Sequence, residues 1–279
     1  DHGYKLVNVS RNPDKVNPLV STIPWDPVML SKEISSTDAV IHLAGASISG
    51  LGPLRGLWTP RQIELIRSSR IETGKALTRA IQQASRKPAV FIQSSAIGYY
   101  GNTRGEAVDE SSPAGIDFLA AVSQPWEAST QEIESLGVRR VIARTGLVLS
   151  RTGGLYPLLS FPFRIFLGGN IGDGQQIMSW IHIHDLVRAF NFLIETPTEQ
   201  GVFNLTAPNP VSNQQFGEEL SRVLKQPNWF NIPHWNLTMA LGEASTLALD
   251  GREVQPANLM KSGFQFNFPT LSTAINNLE

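Results

Sequence analysis

No cysteine occurs in the 279 residues of the chain, which removes disulfide scaffolds, thiolate catalysis and CxxC-type zinc sites together. Long apolar runs are also missing. Stretches such as Ala89–Ile92 and Val141–Leu149 fall far short of the ~20 residues of a membrane helix, and the N-terminus lacks the basic-then-apolar layout of a signal peptide. Neither sign of charge dominates: 23 Lys plus Arg stand against 24 Asp plus Glu, for a net charge of −1, with no long run of either. Nucleic acid and membrane surfaces are therefore not expected partners, and the cytoplasm is the expected compartment. No low-complexity tract, internal repeat or GxSxG elbow is visible; Gly45-Ala46-Ser47-Ile48-Ser49-Gly50 misses the elbow's spacing.

What is present reads as alternating strands and helices. Tyr4–Ser10, Ala39–Leu43, Val90–Ser94 and Val138–Leu149 are apolar and β-branched enough for strands. Between Pro60 and Ser85 the spacing of Ile63, Ile66, Ile71, Leu77 and Ile81 fits a long helix, with Pro60 suited to its first turn. Asp117–Leu136 also reads as helical, with Pro125 expected to kink it or to start a second helix, and Asp185–Glu195 is another helix. This alternation predicts βαβ units and a parallel sheet covered on both faces. Beyond Thr196 the Pro- and Asn-rich texture, with helix-like patches at Gln214–Leu224 and Leu237–Leu249, predicts a smaller C-terminal α+β lobe.

Four pieces carry a resemblance: VSRNP at 9–13, DAVIHLAG at 38–45, FIQSSAIGYYG at 91–101 and WIHIHDL at 180–186. Together they resemble the atypical and extended short-chain dehydrogenase/reductases. With RTGLVLSRTGG at 144–154, GDGQQIMSWIH at 172–182 and GREVQPANLMKSGFQFNFP at 251–269, the whole chain is similar to the 39U-type "epimerase family protein" group. The resemblance implies a Rossmann-type doubly wound parallel sheet that binds NADP(H) or NAD(H) at the carboxyl ends of its strands. The expected layout is a dinucleotide-binding domain over 1–160, with 175–205 returning to it, and a substrate lobe over 161–174 and 206–279.

Ser10 and Arg11 follow the first visible strand, where NAD-binding members place an acidic residue on the ribose hydroxyls. A hydroxyl and a cation suit a 2′-phosphate, so NADP(H) is the expected cofactor; Arg11 as a solvated turn residue is the plain alternative. Leu43, Ala44 and Gly45 would let the cofactor approach the backbone closely, although a tight turn alone needs the same glycine. By resemblance Arg70 reaches the cofactor phosphates, or else is one more exposed cation beside Arg61 and Arg67. Val148 would touch the nicotinamide end through its backbone.

Two departures stand out. The family opens with a strand and a GxxGxxG turn whose amides cradle the pyrophosphate; this chain starts at what corresponds to the second strand. Some ~20–30 residues, the length of a strand, loop and helix, are expected upstream, because the missing strand is central and its loss exposes two sheet edges. The second departure is catalytic. Working members pair a serine after the strand with a tyrosine four residues before a lysine, so that the ammonium lowers the phenol's pKa. Ser95 matches the serine, but counting back from Glu127 the lysine position is Ser123 and the tyrosine position Leu119. Ser95 and Tyr99 are the candidate catalytic residues; their plain alternatives are a turn-capping serine and a pocket wall.

His182 and His184 alternate along a presumed strand and would share a face, but no His/Cys cluster accompanies them, so no metal is expected. Two functions stay open: an NADP(H)-dependent oxidoreductase or epimerase-like enzyme acting on a small carbonyl or sugar-type molecule, or a catalytically silent NADP(H)-binding regulatory protein. A homodimer through helices at the lobe edge is a further expectation.

Overall fold

The computed structural model describes residues 3–13, 18–48, 58–103, 105–231, 233, 246 and 250–279. Its centre is a four-stranded parallel sheet of β3 (Ala39–His42), β4 (Val90–Ala96), β6 (Arg139–Thr145) and β11 (Gly201–Leu205), in the order β11-β6-β4-β3. A separate parallel pair joins β1 (Val7–Ser10) to β2 (Ser21–Pro24), and the short strands β5 (Ala107–Val108) and β9 (Ile177–Met178) belong to two further two-stranded sheets. Among the described residues β1 bonds only to β2 and β3 only to β4, so the sheet is split where the resemblance places the glycine-rich opening strand.

Period-two burial explains why the sheet is covered on both faces. From β4, Val90 and Ile92 join Val141, Ala143, Phe203 and Leu205 beneath α5 (Ile183–Glu195). Phe91, pointing the other way, joins Leu77, Ile81 and Ile133 beneath α1 (Pro27–Ile34) and α2 (Pro60–Gln83). Each such fully buried side chain contributes about 1.5–3 kcal/mol. On the same face as α2 lies α3 (Phe118–Ala128), capped by the Asp117 carboxylate, which accepts from Ala120 N.

Several element boundaries differ from the sequence expectation. β2 and α1 had no sequence reading, since their 4 and 8 residues are too short to show a period. The helix expected to kink or to start anew at Pro125 runs through it to Ala128, and a 3-10 helix follows over Gln131–Leu136. The strand expected over 138–149 is two strands, β6 and β7 (Leu147–Ser150), in different sheets. Gly146 divides them: a Cβ there would stand 2.6 Å from the Ser179 carbonyl oxygen, an approach that only glycine allows. β7 instead pairs with β10 (Trp180–His182) and with the short β8 (Gly153–Gly154).

A second apolar cluster gathers α4 (Tyr156–Arg164), α6 (Asn213–Leu224) and α8 (Leu271–Leu278) around Trp180, Phe216 and Leu220. A capping box starts α6: Ser212 Oγ accepts from Gln215 N, and Gln215 Oε1 accepts from Ser212 N. α7 (Ala257–Lys261) belongs to the other side, where Leu259 packs beneath the main sheet. The helix expected over 237–249 lies almost wholly outside the described residues.

Candidate functional site

Parallel register sets the geometry. Ser95 of β4 stands beside Arg144 of β6, and Arg144 beside Asn204 of β11, so the three share one row on the α3 face of the sheet. Glu127, from the last turn of α3, closes over that row. Its carboxylate takes the Arg144 guanidinium in a fork, Nε to Oε1 at 2.9 Å and Nη2 to Oε2 at 2.8 Å, and Ser95 Oγ donates to Oε1 at 2.6 Å. Arg144 Nη1 donates to Tyr100 Oη at 3.0 Å, and Tyr100 donates to Asn204 Oδ1 at 2.8 Å. Charge-assisted, bidentate bonds of this kind are the strong ones.

Burial and charge act in opposite directions here. Burial alone would lower the Arg144 pKa, but the Glu127 bonds raise it, so the cation is fixed. Burial pushes the Tyr100 phenol up to about 12 despite Arg144 beside it, which keeps it a neutral hydroxyl.

The structure places Ser95 in this buried row. Its hydroxyl is buried and donates to the Glu127 carboxylate at 2.6 Å. Ser95 and Leu119 stand at different levels along α3. Leu119, in the tyrosine position, lies against Gly98, where a Cβ would stand 2.9 Å from Leu119 Cβ. Glu127 is eight residues further on, about 12 Å along the helix, and Ser95 is at Glu127.

Tyr99 turns back over the sheet. Its ring lies under the Arg144 guanidinium, 3.3 Å from Cζ to the ring centroid, a cation–π contact. It also walls a cavity of about 500 Å³ with Gln124, Gln131, Arg140, Ile142 and Val202. The ring thus braces the ion pair on one side and opens on this cavity on the other.

The cofactor candidates sit elsewhere. Ser10 ends β1 and its Oγ accepts from Asn12 N at 3.1 Å, while Arg11 is exposed just beyond. Leu43, Ala44 and Gly45 follow β3, with Leu43 and Gly45 exposed. Arg70 is buried, not exposed, and its Nη1 donates to the carbonyls of Ala46 and Ile66, each at 3.0 Å. It thereby ties the turn after β3 to α2, with its guanidinium 3.1 Å from where a Gly45 Cβ would lie. Val148 pairs with Ile181 and packs against the α5-side core.

Below Arg70, His42 is buried against Phe91 and Trp126, with Nε2 3.0 Å from Thr73 Oγ1. Burial first, and Arg70 second, lower its pKa to about 4.

The strand expected to carry both His182 and His184 stops short, because β10 ends at His182 and α5 starts at Ile183, yet the two rings still meet edge to face with 5.0 Å between centroids. His182 is the helix cap, its Nδ1 accepting from His184 N at 3.1 Å. Asp185 lies in the first turn and accepts from Asn267 N at 2.9 Å and Phe268 N at 2.8 Å. No group of three metal-ligating side chains occurs among the described residues.

Sequence reading missed Glu127, Arg144, Tyr100 and Asn204 as a unit. One signal was available: an arginine inside the otherwise apolar strand VIARTGLVL must find a carboxylate or lose its place in the core.

Comparison with known proteins adds four matches. Residues 232–278 match a family model described as a domain of unknown function, DUF1731. The chain is 35% identical over 280 residues to the epimerase family protein YfhF of Bacillus subtilis, spanning 99% of this chain and 89% of the relative. It is 38% identical over 263 residues to the epimerase family protein SSP1921 of Staphylococcus saprophyticus, spanning 94% and 86%. Among solved structures it superposes on the human epimerase family protein SDR39U1, crystallised with NADPH, with a TM-score of 0.87 and 30% identity over 99% of this chain and 91% of that one. No helix among the described residues is long and apolar enough to cross a membrane.

Proposed function

The chain belongs to the epimerase family, and on that footing we propose that it binds NADP(H) along the carboxyl ends of β1 and β3. The observation that carries this reading is Arg11, exposed directly after β1 with Ser10 beside it. No carboxylate stands at either position, so a ribose 2′-phosphate meets a cation and a hydroxyl there. The NADPH bound by the human relative points the same way. The residues present fit the group in one further respect: the 43–46 turn is built of small residues after Leu43 and is tied to α2 by Arg70.

A bound nicotinamide supplies a hydride donor or acceptor, and the chain's own residues have to supply the proton. At the positions that do so in working relatives stand Leu119 and Ser123, and Ser95 donates to Glu127. The geometry therefore supports a cofactor-binding protein whose nucleotide serves as a structural or redox-reporting ligand. Family membership favours the other reading, an oxidoreductase or epimerase acting on a small carbonyl or sugar-type substrate. That reading requires an acid–base group from outside this set.

The test is titration of the protein with NADPH and NADH, repeated on Arg11→Asp. The expected result is NADPH preference in the parent and at least about tenfold weaker NADPH binding in the variant, the loss of one charge-assisted contact of about 1.4 kcal/mol. An unchanged ratio of the two affinities overturns the role of Arg11.

A further inference from the structure

The cavity walled by Tyr99 lies over β6 and β11, on the far side of β4 from β3 and the cofactor edge. Its volume of about 500 Å³ falls within the ~300–1,000 Å³ of small-molecule pockets. Ile142 of β6 and Val202 of β11 make it apolar at the sheet. The Arg144 guanidinium covers one side of the Tyr99 ring, and the other side is left to the cavity. Neither the Tyr99 hydroxyl nor the amide of Gln131, a second lining residue, bonds to another group among the described residues. Arg140 lines the cavity too, with its side chain only 10% exposed. Its Nε donates to Thr130 Oγ1 at 2.9 Å, Nη1 to Glu134 Oε1 at 2.8 Å, and Nη2 to the Glu127 carbonyl. A guanidinium carries five N–H donors, so two are left over beside the cavity.

We infer that this cavity is a binding site for an uncharged, planar nitrogen heterocycle of the nucleobase type. The flat ring stacks on Tyr99, as bases do on aromatic side chains. Its carbonyl and ring-nitrogen acceptors meet a set made mostly of donors: the spare N–H groups of Arg140, the Tyr99 hydroxyl and the Gln131 amide. Charge decides against an anion. Arg140 is paired with Glu134 and Arg144 with Glu127, so a carboxylate or phosphate entering here is desolvated without a net attraction to offset the cost. A saturated ring of the same size forfeits the stacking. The site is separate from the NADP(H) cleft proposed above and stands whether or not that reading holds.

The test is calorimetric titration of the full chain at neutral pH with theophylline, a neutral dicarbonyl purine, with and without saturating NADPH, and with benzoate as the aromatic anion. Saturable binding of one theophylline is expected, unchanged by NADPH and at least about tenfold tighter than that of benzoate. Tyr99→Leu is expected to weaken it at least about tenfold, the loss of one stacked base, and Gln131→Ala about three- to tenfold, the loss of one hydrogen bond. Tyr99→Phe keeps the ring and is expected to stay within about fivefold of the parent. Nuclear Overhauser contacts from the theophylline methyl groups to those of Ile142 and Val202 place the ligand in the parent protein, independently of how any variant folds. Absence of saturable binding at about 10 mM theophylline overturns the proposal, as does binding without those contacts or binding that Tyr99→Leu leaves unchanged. Competition by NADPH overturns it by putting the purine in the cofactor cleft, and tighter binding of benzoate overturns it in favour of an anion site.

Discussion

At the scale of single residues, the buried row of Ser95, Arg144 and Asn204 under Glu127 is the frame on which the rest of the site is hung. Glu127→Gln leaves a buried guanidinium without its carboxylate and is expected to lower stability by about 3–5 kcal/mol, read as a shift in the urea midpoint. Ser95→Ala removes one donor from a carboxylate that keeps its fork to Arg144, so a smaller loss of about 1–3 kcal/mol is expected. Equal losses would mean that the row is not organised by the ion pair. His42 gives a pH signature. Its folded pKa of about 4 lies below its ordinary 6.5, so the neutral ring favours folding: the contribution is complete above pH 6.5 and is lost as pH falls towards 4. The full loss is on the order of 3 kcal/mol. Melting temperatures of His42→Gln across that window are expected to fall less steeply than those of the parent, and parallel curves would contradict the assignment. Little of this was legible beforehand. Ser95 stood out as a strand-end serine, but its orientation towards Glu127 depends on parallel register and on where α3 crosses β4, and neither is a local property of the chain.

At the scale of elements, α2, α5 and α6 announced themselves because each repeats its apolar residues at helical spacing over 12 or more residues. The failures share one cause: tertiary contact overrode local pattern. Gly146 cuts a continuous apolar run because the Ser179 carbonyl presses against it. His182 stops being a strand residue because its own imidazole caps α5. The packing of α3 on the turn after β4 rests on a similar close approach at Gly98. Gly98→Ala places a methyl 2.9 Å from Leu119 Cβ and forces the helix outward. The expected cost is about 1–3 kcal/mol, checked by thermal melting, and a variant as stable as the parent would show that α3 does not seat on Gly98.

At the scale of the whole molecule, the resemblance found the doubly wound sheet, and the structure shows how its parts are joined. Asp185 is fully buried and binds two amides of the tail, Asn267 N and Phe268 N, together with Arg188. One carboxylate therefore fastens the C-terminal segment onto the start of α5. Asp185→Ala is expected to raise amide exchange selectively across 264–278, while β4 and β6 keep their protection; uniform acceleration in both regions would show that the tail is not held locally. Motif order predicted two exposed sheet edges beside a missing central strand; that the described strands divide into a pair and a four-stranded sheet was not foreseen, since β2 is too short to show a period. What motif order does not reveal is chemistry, because motifs mark where a cofactor lies and not which protons are free to move. The central claim is that this chain holds NADP(H) without running proton transfer through Ser95. It is tested most directly by following NADPH absorbance with the protein and a panel of carbonyl compounds and nucleotide sugars, for the parent and Ser95→Ala side by side. The account predicts no consumption that depends on Ser95; sustained NADPH oxidation that Ser95→Ala abolishes, in a protein still folded and still binding NADPH, would contradict it.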